Sequence, residues 1–175
     1  MTPGILFQTQ LVLGYVAWLA CFRIYMLPKL SSMPGFEAHR AIAALHSFRI
    51  FGLAFIMPGV VGPALPGAFA QSAAYGDLAT GLLAISALVT SGVRPLFWLF
   101  VVAFNVVGLG DLLLAYYHAV HAGLPEVAGQ LGATYAVPIV YVPLLMITHI
   151  CAIYWLWPAS ARHSIRSGPP ARCVG

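Results

Sequence analysis

Charge is what this chain has least of. Eight Lys/Arg and four Asp/Glu are spread over 175 residues, so that 7% of the chain is charged and 61% hydrophobic. A water-facing domain carries about a quarter charged residues, and an ordinary soluble surface is therefore excluded. The net charge is +4. Behind it stand no basic helix face and no basic–aromatic ladder, so nucleic acid is not an expected partner. Cysteine is scarce as well. Cys21, Cys151 and Cys173 form no CxxC. An odd count without paired spacing argues against a disulfide framework or a zinc site. These residues read as small apolar packing groups plus one tail thiol. Residues 1–10 contain no Lys or Arg, so the basic start of a cleavable signal is missing and the first apolar stretch is expected to stay. There is no P-loop, GxGxxG, GxSxG or HExxH, no channel filter and no internal repeat of the transporter kind.

What the chain does have is long apolar runs. Five stand out, at about 5–27, 36–57, 73–90, 95–118 and 133–157. Each is long enough to cross a ~30 Å hydrocarbon core at about 1.5 Å per residue. Only helices and closed barrels satisfy their backbone in lipid, and these runs are too long for barrel strands. The expected fold is all-α: a polytopic integral membrane bundle of five transmembrane helices over residues 1–158.

The basic residues orient it. Lys29 and Arg40 flank the first connection, Arg94 lies in the third, and Arg162, Arg166 and Arg172 follow the last run. The second and fourth connections carry neither Lys nor Arg. Five spans place all of these cations on one side, which by the positive-inside rule is the cytoplasm. The expectation is N-terminus outside and C-terminus inside, in a bacterial plasma membrane, with 159–175 a flexible basic cytoplasmic tail that can touch anionic headgroups.

Ionisable groups at membrane depth mark candidate sites, because burying them is costly. His46 and Arg49 are three apart in the second run and share a face. Phe104, Gly108, Asp111, Ala115 and His118 form one stripe of the fourth run, with Asn105 at its edge. Asp111 reads as the only carboxylate deep in any span. Counting helical rise, Arg49 and Asp111 lie at similar depths and are expected to pair. His149, beside Thr148 in the fifth run, matches His46 in depth. The two histidines invite a haem b reading, with Gly52 or Gly108 making room for the porphyrin; a two-His set is otherwise a weak metal signature. Pro138 and Pro143 are expected to bend the fifth span. Asp77 falls near the start of the third run, where a carboxylate favours the first-turn amides of a helix. His118, His121 and Glu126 read as a solvated outer loop.

The function expected from these residues is binding of a small amphipathic ligand, such as a lipid or quinone, in a polar intramembrane pocket lined by His46, Arg49, Asn105, Asp111 and His149. Three alternatives accompany it: an accessory subunit of a larger membrane complex, or a homo-oligomer; a haem or metal redox protein using His46 and His149; and a proton or ion path along Asp111 and His118. Nothing in the sequence assigns an enzymatic reaction. In length and hydropathy alone the chain is similar to small membrane receptors and DoxX-like proteins, a likeness that carries no site residue with it.

Overall fold

The structure is a computed structural model and describes residues 1–157. The tail expected at 159–175 lies outside the described residues. Helix α1 (Pro3–Ser31) opens with Thr2, whose hydroxyl accepts the Ile5 N–H at 3.3 Å, and with Pro3 in the first turn, where its missing N–H costs nothing. A π turn at Phe22–Met26 precedes Pro28, which has no N–H to return to the preceding turn. Helix α2 (Gly35–His46) continues as a 3₁₀ helix through Ser47–Ile56. Helix α3 spans Gly67–Gly92 and α4 spans Arg94–His121. A 3₁₀ segment (Leu124–Tyr135) leads into α5 (Val137–Leu156), which begins with a π turn over Val137–Tyr141.

All regular secondary structure among the described residues is helical, as the long runs require. Helices α1, α3, α4 and α5 are long and apolar enough to cross a membrane. The 35–56 stretch is not among them. His39, Arg40, His46 and Arg49 fall inside it and dilute its apolar character. Large apolar side chains point outward from every helix, among them Val12, Phe51, Leu82, Leu99, Val106 and Ile150. So much exposed apolar surface is unsuited to water and suited to lipid.

The 3₁₀ winding of 47–56 positions the site. A ten-residue 3₁₀ run is long for its kind. It repeats every three residues, so Arg49, Gly52 and Phe55 line up, and all three are buried. His46, one step earlier, is buried as well. Over the nine residues from His46 to Phe55, α-helical winding of about 100° per residue would have turned Phe55 to the opposite face. Ser47 sits at the transition and returns its hydroxyl to the Ala44 carbonyl at 2.8 Å, a local bond that competes with regular α-winding.

Helix α3 lies at the centre, packed most heavily on α4 and on the 3₁₀ stretch. One core cluster (Ile42, Ala43, Ala84, Phe97, Val101, Phe104) fills the end where α4 begins. Another (Phe7, Phe55, Phe69, Leu124, Leu131) fills the end where α1 begins. At that second end the 57–66 connection is clasped to the 124–135 segment. Gly62 N–H donates to the Gln130 carbonyl at 2.7 Å, and Ala133 N–H to the Val60 carbonyl at 3.1 Å. Gly132 closes this clasp with φ +52° and ψ −128°, a combination L-residues avoid. Its missing Cβ would also strike the Val60 carbonyl. Gly132→Ala is therefore expected to cost about 1–2 kcal/mol, read as a lower melting temperature of the detergent-solubilised protein; an unchanged melt would show that the clasp is not held under strain.

Where a proline bend was expected, α5 carries a π turn over Val137–Tyr141. Pro143 cannot donate to the Ile139 carbonyl, and that carbonyl rests against Gly14 of α1, where a Cβ would displace it.

Candidate functional site

Arg49 is the hub. It is 0% exposed, always charged, and must find partners inside the bundle. Its Nε donates to Asp77 Oδ1 at 2.6 Å and its Nη2 to Asp111 Oδ2 at 2.5 Å. Its Nη1 reaches the Gly108 carbonyl and His149 Nε2, both at 3.2 Å. Four of the five guanidinium N–H groups are thus spent.

The remaining partners follow from donor–acceptor logic. Arg49 only donates, so His149 Nε2 accepts and the ring is neutral with its proton on Nδ1. That Nδ1–H donates to Asn105 Oδ1 at 3.0 Å, while Asn105 Nδ2 donates to the Val101 carbonyl at 2.8 Å. The Thr148 hydroxyl donates back to the Leu144 carbonyl at 2.9 Å, so His46 Nε2–H donates to Thr148 Oγ1 at 3.0 Å. This leaves His46 Nδ1 buried with no partner among the described residues.

All five residues expected to form a site, His46, Arg49, Asn105, Asp111 and His149, therefore meet in one network. The predicted Arg49–Asp111 pair is present. Two other readings need correction. Asp77 does not serve a helix N-terminus. Its helix begins at Gly67, ten residues earlier, which puts Asp77 about 15 Å into α3 and in direct contact with Arg49. Asp111 is accordingly not the only deep carboxylate. The signal for this was the weakly apolar stretch 67–74, which extends the third run backward to Pro66.

The His46 and His149 rings touch, tilted by 41° with centroids 3.9 Å apart. No porphyrin plane fits between rings so close, and three of their four nitrogens are already bonded. The residues do not fit a bis-histidine haem. Among the described residues no three His, Cys, Asp or Glu side chains are grouped to hold a metal. His118, seven residues beyond Asp111, packs on Tyr117, and no hydrogen bond connects it to Asp111. His121 bonds the Tyr117 carbonyl at 2.9 Å.

Room for the network is made by glycine. A Cβ on Gly52 would fall on the Asp77 carboxyl, one on Gly76 on the Asp111 carboxyl, and one on Gly108 at 2.5 Å from His149 Nε2. The three come from the 3₁₀ stretch, α3 and α4, so each of the three close-packed elements gives way once.

Beside the network, towards the end where α1 begins, is a cavity of about 190 Å³. Its walls are Phe7, Phe55, Phe69, Leu112, Ala115 and Leu124, among others; its charged lining residues are Asp77 and Asp111. Gln8 and Tyr116 also line it. Arg49, His46, Asn105 and His149 do not. They stand behind the carboxylates and fix them. Each carboxylate spends one oxygen on Arg49 and keeps the other free of hydrogen bonds among the described residues.

No curated protein and no solved structure matches this sequence. A family model does, over residues 6–157, which takes in all five helices but the first three residues of α1, and every residue of the network. The chain therefore belongs to the family defined by the domain of unknown function DUF8737.

Proposed function

We propose that this is an integral membrane protein whose bundle holds a small amphipathic ligand in the cavity above Asp77 and Asp111. The observation that carries the reading is the cavity itself: apolar walls around about 190 Å³, with charge confined to one pair of carboxylates. Binding sites for small molecules are commonly apolar enclosures with a few converging polar groups. The polar end of the ligand meets Asp77 and Asp111, its apolar body meets the phenylalanine walls, and Arg49 with His149, Asn105 and His46 keeps the floor rigid.

In this proposal the 35–56 stretch is a fifth span, tolerated in lipid because Arg49 is neutralised inside the bundle. The N-terminus faces outside and Lys29, Arg40 and Arg94 face the cytoplasm of a bacterial-type plasma membrane. The absence of Lys and Arg from the 57–66 and 122–136 connections supports that orientation. The cavity then lies in the outer half.

Native mass spectrometry of the protein in mild detergent, followed by thermal melts with neutral, anionic and cationic amphiphiles of graded size, tests the binding reading. A ligand present at 100 times its Kd stabilises by about 2.7 kcal/mol, which is a readily measured rise in melting temperature. Protein that carries no added mass and melts identically with every amphiphile overturns the proposal.

A further inference from the structure

We propose, resting on the cavity reading above, that the ligand is cationic: a compact apolar body bearing an amine. The inference comes from the charge count of the floor. Asp77 and Asp111 share one guanidinium, so two carboxylates face one cation. His149 is held neutral by accepting from Arg49. With both carboxyls ionised the group carries one excess negative charge, in a setting where an unbalanced charge is strongly disfavoured. Arg49 cannot serve as an anion receptor, being fully buried, with four of its five N–H groups on protein acceptors, and absent from the cavity wall.

What the cavity offers instead is acceptors. Asp77 and Asp111 are each 9% exposed, both line the cavity, and each retains an oxygen with no hydrogen-bond partner among the described residues. Among the described residues no Lys, Arg or His lines the cavity with them. An ammonium placed there donates to acceptors that lack donors and brings the group to neutrality. A carboxylate or phosphate head in the same place meets two like charges, and a hydroxyl leaves the excess charge uncancelled. Size sets the body: an apolar cavity of about 150 Å³ admits benzene, so about 190 Å³ takes a phenyl ring with a short arm or an aliphatic body of similar bulk.

Three probes with the same body separate the possibilities: 2-phenylethylamine, 2-phenylethanol and 3-phenylpropionate, titrated against the full-length protein in nanodiscs by saturation-transfer NMR. The amine is expected to bind about ten- to a hundred-fold more tightly than the alcohol, the range set by a charge-assisted hydrogen bond, and the acid not measurably. Asp111→Asn is expected to erase the preference for amine over alcohol, since Arg49 then balances the one remaining carboxylate, Asp77. Ala115→Phe, which fills the cavity without touching the charges, is expected to abolish binding of both and serves if the Asn variant does not fold. Equal or better binding of the alcohol or the acid by the wild-type protein overturns the amine assignment and leaves the cavity reading standing. An amine preference that survives in folded Asp111→Asn, or amine binding that survives in Ala115→Phe, also overturns the assignment. Failure of all three probes overturns the cavity reading and the amine assignment together.

Discussion

Arg49→Met is expected to destabilise the protein by about 3–5 kcal/mol, enough to remove most of the folded material from a detergent extract. The figure is what removing one partner of a buried ion pair costs, and here the removal strands two carboxylates rather than one. Asp77 and Asp111 would face each other across the space Arg49 fills, with His149 Nε2 and the Gly108 carbonyl also losing their donor. Methionine matches much of the volume, so the loss reports charge and hydrogen bonding rather than a void. Arg49→Lys keeps the charge but replaces a planar fork with a single ammonium; it cannot reach all four acceptors and should fall between wild type and Met. The decisive comparison is the triple variant Arg49→Met, Asp77→Asn, Asp111→Asn. If uncompensated charge is the cause, the triple variant recovers most of the lost stability in thermal melts and elutes as a folded peak. If it is as poor as Arg49→Met alone, the fold depends on the geometry of the hydrogen bonds and not on charge balance.

Gly76→Ala should produce the second large loss, about 3 kcal/mol, at the upper end of what overpacking costs. A single methyl at this position occupies the place of the Asp111 carboxyl. That carboxyl is tied to Arg49, so moving it aside loosens the ion pair. Gly110→Ala makes the control. It lies in the same helix as Asp111, faces outward, and a Cβ there meets nothing within 4 Å. Replacing an exposed helical glycine by alanine gains about 0.5–1 kcal/mol. The two substitutions add the same methyl and should move the melting temperature in opposite directions. Melts that fall equally would mean that glycine at these positions serves flexibility rather than close approach.

Reading the sequence went furthest where one physical constraint had one solution. Runs of apolar residues in lipid leave helix as the only continuous choice, and the described residues are helical with four spans of sufficient length. A guanidinium at depth had to find a carboxylate, and helical rise was enough to nominate Asp111. It missed Asp77 because the start of α3 was set by hydropathy, at 73 instead of 67, so that a carboxylate well inside the helix looked terminal. Six residues of alanine, glutamine, serine and their like carry too little apolar signal to show that the helix has already begun. The contact of His46 with His149 was beyond reach for a different reason. Depth along two helices constrains height but not rotation, and the rotation of His46 depends on a change of winding at Ser47 that no composition or spacing announces. The cavity was legible only in its neighbourhood. The residues nominated for it are mostly its supports, and its walls come from Phe7, Phe55, Phe69 and Leu124, ordinary apolar residues that nothing in the sequence distinguishes from lipid-facing ones.

The winding at 47–56 makes this segment a spring with two ends under different control. Its lower end is pinned by Arg49, which four acceptors hold. Its upper end carries Phe55 into the cavity wall and then enters the clasped connection at Val60 and Gly62. A 3₁₀ helix rises about 2.0 Å per residue and an α-helix about 1.5 Å, so rewinding from Arg49 to Phe55 would shorten that stretch by about 3 Å and swing Phe55 about a third of a turn out of the wall. Cavity shape, loop height and helical pitch are in this way one mechanical variable. The residue that walls the cavity and the connection that carries the clasp therefore belong to one continuous stretch of chain.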